Sequence, residues 1–148
     1  MVSGAVLTAA NLNTIGAAWE TWTPALTAST TNPTLGTGST ASGRYGRINK
    51  TVFGQLLIQF GTSGVAAGTG FYFVSLPVTA QASGPTVGSG YILDNSTSLL
   101  RHVVAVLDTT GRMALWLENT TSFAVGAGNP WAWAASDSIR VDFEYEAA

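Results

Sequence analysis

From Trp19 onward the chain alternates apolar and polar positions with a period of two and interrupts the alternation with turn residues. The clearest run is 138–146, where Ile139, Val141, Phe143 and Tyr145 share one side and Arg140, Asp142, Glu144 and Glu146 the other. That pattern predicts an antiparallel strand with one wet face. A second long strand is predicted over 51–61, with Val52, Leu56, Ile58 and Phe60 on one face and Phe53, Gln55, Leu57 and Gln59 on the other. Apolar groups on both faces place it centrally in a sheet or at a subunit contact. Further strands are predicted over 20–26, 43–48, 71–76, 87–93, 99–107 and 112–117, and Asp108-Thr109-Thr110-Gly111 between the last two reads as a hairpin turn. The stretch 28–42, rich in Thr, Ser and Gly and containing Pro33, reads as a long loop turned outward together with 61–70. About eight short strands without a long helix predict an all-β antiparallel sandwich, jelly-roll-like, over 19–148.

The first eighteen residues follow another pattern. Residues 7–16 fit a helix of one or two turns, with Thr8 as cap, Leu7 stapling onto Leu12 and Gly16 closing it. A helix that short is not stable alone in water. Its apolar residues Val6, Leu7, Leu12 and Ile15 must pack on something, and residues 1–18 are therefore expected to be a docking arm for a neighbouring protein, the alternative being a lid on the same domain. The start Met1-Val2-Ser3-Gly4 has no basic stretch of the kind that opens a secretory signal, so none is expected.

Composition sharpens the picture. Hydrophobic residues make up 46% of the 148 and charged ones 9%, against roughly 25% charged in ordinary soluble domains. So little charge leaves apolar surface to be covered by other subunits, because obligate interfaces resemble domain cores. Self-association is thus expected. The six basic residues against eight acidic ones form one local cluster, Arg44, Arg47 and Lys50, too thin for the counterion release that nucleic-acid binding requires. No apolar run reaches the length of a membrane-spanning helix, so membrane insertion is not expected either. The absence of cysteine removes disulfides and thiolate metal sites and suits synthesis in a cytosol.

Candidate chemistry is sparse. His102, the one histidine, lies in the apolar run 99–104, and a single imidazole without cysteine cannot by itself make a structural zinc site. It is read as a strand residue at a surface or subunit contact. Asp142, Glu144 and Glu146 at i, i+2 and i+4 represent the solvent side of a strand and not an opposed acid and nucleophile. Gly36-Thr37-Gly38 and Gly68-Thr69-Gly70 lack the Lys and the helix of a phosphate loop. No catalytic residue, metal or cofactor is expected. Trp131 and Trp133, at i and i+2, would share a face on a strand and are the ligand-stacking candidates, since indoles stack on the C–H faces of sugars. The favoured reading, however, places both in the core or an interface with Trp19, Trp22 and Trp116.

The order of several motifs resembles a known module. Trp19-Glu20-Thr21-Trp22-Thr23-Pro24-Ala25-Leu26-Thr27, a Gly/Thr/Ser loop, then Gly43-Arg44-Tyr45-Gly46-Arg47-Ile48-Asn49-Lys50-Thr51-Val52 is similar to a module of tail-fibre and minor tail proteins of phages infecting actinobacteria and related hosts. Gly4 to Asn13 looks like the lead-in of many phage appendage modules, and 133–146 like the module's last strand. The resemblance implies a non-enzymatic virion component made in the host cytoplasm, often a homotrimer, with its sandwich outward and its arm on another virion protein. Read as a receptor-binding module, the protein is expected to take a host surface polysaccharide as its external ligand. Longer members carry a shaft or a second module, and the same resemblance also admits a capsid decoration protein that stabilises the head shell.

Overall fold

The computed structural model describes residues 18–118 and 124–148. The predicted short helix and its apolar residues Val6, Leu7, Leu12 and Ile15 lie outside them. Among the described residues nine strands form: β1 (Glu20–Trp22), β2 (Leu26–Ala28), β3 (Thr40–Ile48), β4 (Thr51–Gln59), β5 (Tyr72–Ser75), β6 (Thr86–Asp94), β7 (Leu99–Thr109), β8 (Arg112–Leu117) and β9 (Ser138–Glu146). They make one antiparallel sheet in the order β1-β3-β4-β9-β6-β7-β8-β5-β2. The class is all-β and sandwich-like, its two layers being the halves of a single curled sheet.

Curling is compulsory. The predicted strand over 20–26 is in fact two strands, broken at Thr23-Pro24-Ala25, and the two pieces lie at opposite ends of the sheet order. Pro24 removes a ladder donor and ends the first piece. A flat sheet of nine strands would hold its outer members about 38 Å apart at about 4.8 Å per strand. The three connecting residues let Trp22 and Leu26 separate by at most about 14 Å. The sheet must therefore fold back until its ends nearly meet. β6, the fifth strand of nine, carries the features of a fold line. It carries a register shift between Thr86 and Gly88, and at Gly88 and Gly90 an added Cβ would lie 2.0 and 1.9 Å from the carbonyl oxygens of Asp142 and Arg140 on β9. Bulges and glycines are the devices by which strands turn such corners.

The enclosed face is the apolar one. On β9, Ile139, Val141, Phe143 and Tyr145 are buried and their polar neighbours Arg140, Asp142, Glu144 and Glu146 are exposed, as the alternation predicts. On β4, Val52, Leu56 and Ile58 are buried, and the strand lies between β3 and β9 inside the sheet. Turn chemistry agrees: β3 and β4 are joined by Asn49-Lys50, with Asn49 in the left-handed region at φ 55°, where Asn is favoured.

The stretches 28–42 and 61–70 are not free loops. They zip together by backbone hydrogen bonds: Thr31 N–H to Thr69 O (3.1 Å) and back (2.9 Å), Thr34 N–H to Ala66 O (2.8 Å) and back (3.0 Å), and Thr37 N–H to Ser63 O (2.9 Å). Glycine is needed where the two backbones approach, since a Cβ at Gly61 or Gly68 would lie 2.2 or 2.1 Å from a carbonyl oxygen of the opposite stretch. Leu35, Val65 and Ala67 of this ribbon pack on the core and close one end of the curled sheet.

Two buried polar groups fasten the connections. Asp137 is fully buried, and its carboxylate accepts the N–H groups of Asn95 (3.0 Å) and Ala134 (2.9 Å), tying the β6–β7 turn to the segment before β9. The Tyr145 hydroxyl donates to Val78 O (2.6 Å) and accepts from Val78 N–H (3.2 Å). Burial pushes this phenol up to about 12 and raises that of Tyr72 as well. Because folding raises these pKa values, the stabilisation they reflect is complete below the unfolded value of about 10 and is lost as pH rises through the folded values. Urea midpoints are expected to hold steady up to about pH 9 and to fall steeply toward pH 12. Tyr145→Phe should flatten that fall while costing about 1–3 kcal/mol at neutral pH, because Val78 loses its partner.

Candidate functional site

The outer face of the sheet is chemically divided. Over β7 and β8 the outward residues are Leu100, His102, Val104 and Val106, then Ala114 and Trp116. Register sets them side by side: Leu93 opposite Leu100, Val104 opposite Trp116, Val106 opposite Ala114, and Ala114 opposite Phe73 of β5. Leu100 is 54% and Trp116 41% exposed, and Phe71, just before β5, is 53% exposed. His102 lies on this face with its Nδ1 3.4 Å from Glu118 Oε2, both side chains about half exposed. Arg112 covers Phe73 at 3.8 Å from the ring centroid and reaches Asp108 at 2.6 Å.

Over β3, β4 and β9 the outward residues are mixed, polar groups alternating with Phe53, Leu57 and the exposed Ile48. Arg44, Gln55, Asp142 and Ser89 follow one another in register across β3, β4, β9 and β6, and Ser42, Leu57, Arg140 and Tyr91 form the next row. A depression of about 340 Å³ lies on these two rows, and a second of about 360 Å³ adjoins it toward Trp19, Phe53 and Glu144. Both are lined by Gln55 and Asp142, so the two form one groove. Trp19 is 48% exposed at its end, edge-on to Phe53 at 5.5 Å and covered on one side by the Arg44 guanidinium at 5.1 Å. The basic cluster read in the sequence is thereby split, for Arg47 instead donates from Nε to Asn49 O (2.7 Å).

The two stacking candidates stand elsewhere. Residues 131–134 are not a strand, and both indoles turn inward. Trp133 is 5% exposed, stacks on Phe60 at 5.2 Å, and donates from Nε1 to Gly126 O (2.9 Å). It cannot meet a ligand without opening the core. Trp131 is half-buried against Trp133 at 5.7 Å, and its indole N–H is buried without a partner, so packing alone holds it. The docking candidates Val6, Leu7, Leu12 and Ile15 fall outside the described residues. What the sequence missed is the groove, whose residues come from the β3–β4 hairpin and from β6 and β9, which lie far from it and from each other in the chain.

Among the described residues no group of three or more His, Asp or Glu is placed to hold a metal ion, and no helix is long and apolar enough to cross a membrane. Asp94 accepts from the backbone and hydroxyls of Ser96 and Thr97, and those hydrogen bonds hold its carboxyl below the usual range. This is turn chemistry at the β6–β7 connection. Compared with protein-family models, curated proteins and solved structures, the chain matches none, and its function is to be read from these two faces.

Proposed function

We propose that the protein is a non-enzymatic, self-assembling surface module of a tailed-phage particle, of the tail or fibre, forming a homotrimer and anchored to another virion protein by its N-terminal arm. The observation that carries the assembly is the apolar outer half of the sheet. A sheet face turned to water normally presents polar residues, as β9 does, whereas β7 presents Leu100, Val104 and Val106 beside Trp116. Contiguous exposed apolar patches of this kind mark protein contacts. The virion setting is supported by the ordered motifs that resemble phage tail modules.

Assembly is tested by light scattering on the purified chain, where a mass of three chains is expected. Val104→Glu places a charge at the centre of the patch and should yield a monomer with an unchanged far-ultraviolet spectrum, since the residue points away from the core. A wild-type protein that is monomeric at micromolar concentration would refute the assembly. The setting is tested separately by labelling intact particles with antibody and locating the label in electron micrographs.

A further inference from the structure

We propose that the outer groove over β3, β4, β9 and β6 binds a neutral oligosaccharide. The proposal deepens the virion reading and rests on it for its biological setting, but its chemistry stands on the groove.

Three observations select this ligand class. First, the floor is made of planar hydrogen-bonding groups in register, Gln55 beside Asp142, with Arg140 two residues along β9. Amide, carboxylate and guanidinium planes suit pairs of neighbouring hydroxyls because each offers two donors or acceptors at fixed spacing. None of the three side chains makes a hydrogen bond or ion pair with another described residue, although opposite charges stand close together. Their bonding capacity is left to whatever fills the groove.

Second, aromatic rings stand at both ends, Tyr91 in one depression and the half-exposed Trp19 in the other. Ring faces attract the C–H faces of pyranoses, while the phenol and indole edges remain polar. Tyr91 stands on β6 and Trp19 packs on Phe53 of β4, two strand spacings or about 10 Å away at about 4.8 Å per strand, enough for a short oligosaccharide. Third, the charges cancel: Arg44 and Arg140 are matched by Asp142 and Glu144 along the lining. A polyanion would need a basic groove, and a purely apolar ligand would leave these groups unpaired.

The test uses the whole assembled chain and saturation-transfer NMR, with cellotetraose, chitotetraose and maltotetraose as neutral probes and tetragalacturonate as the anionic one. At least one neutral probe is expected to receive saturation at its ring C–H protons, with a Kd between about 0.1 and 10 mM. Asp142→Ala and Gln55→Ala should each weaken that binding about tenfold, as loss of a central contact does. Both side chains are exposed, so the circular dichroism spectrum and the light-scattering mass should not change. No signal from any neutral probe, binding by tetragalacturonate alone, or undiminished binding in both variants would overturn the proposal. A chain that is monomeric yet binds through Asp142 and Gln55 would keep the groove and remove the assembly, so the two readings fail separately.

Discussion

Trp133→Ala is expected to lower the free energy of unfolding by about 3–5 kcal/mol, the range for truncating a large buried aromatic. The side chain is 5% exposed and lies against Phe60 at 5.2 Å and Tyr72 at 5.6 Å. Its removal leaves a cavity between two rings that are themselves fully buried and anchored, Tyr72 through its hydroxyl to Ala67 O. Neither can collapse into the space. The Gly126 carbonyl also loses its indole donor, which adds to the cost when no water can reach it. Trp131→Ala, next to it but half-buried and without a hydrogen bond, should cost clearly less. Urea unfolding followed by circular dichroism measures both, and equal losses would mean that the core does not end at Trp133. Loss of adhesion in a Trp133 variant would thus report unfolding and not a ligand contact.

Strands with one wet face were legible because their alternation is itself the record of burial. The span 112–117 is predicted and observed with the same bounds, and 138–146 likewise, with Ile139, Val141, Phe143 and Tyr145 inside. The span 20–26 was misread because Thr and Trp are good strand formers on both sides of Pro24, and only the sheet order reveals that its halves belong to opposite edges. The ribbon of 28–42 with 61–70 was hidden for a different reason. Its cross-links are backbone to backbone, and Thr31 or Thr34 contributes an N–H that any residue but proline could supply. The glycines at 61 and 68 were its only trace, since they mark close approach without naming the partner.

The groove was invisible for a geometric reason. Arg44, Gln55, Tyr91 and Asp142 become neighbours only once the register of β3, β4, β9 and β6 is known, and a slip of one residue would turn each to the other face. Trp131 and Trp133 stand two residues apart in the chain, and a shared outward face presumes a strand that does not form there. The apolar outer half was partly legible. The run 99–107 is apolar at both parities, which in an interior strand of an antiparallel sheet means either a second layer or a second subunit.

Gly90→Ala is expected to cost about 3 kcal/mol or more, above the usual range for one added methyl group in a packed interior. The obstacle is backbone: the new Cβ would lie 1.9 Å from the Arg140 carbonyl oxygen and 2.8 Å from Val141 Cα. No side-chain rotation relieves that, so β6 must move off β9 and weaken a ladder that pairs Gly90 with Val141 and Tyr91 with Arg140. Because β6 stands in the middle of the strand order, the displacement also disturbs both halves of the sheet, which the three residues between β1 and β2 resist from the far side. Gly111→Ala is the control, for a Cβ there meets nothing within 4 Å, and it should change the urea midpoint little. A Gly90→Ala protein as stable as wild type would show that β6 can give way at its corner, and the curl would then be held by the β1–β2 link alone. If instead stability falls and the oligosaccharide groove is lost with it, fold line and groove are one device: the same corner that brings the sheet's ends together sets Tyr91 beside Arg140.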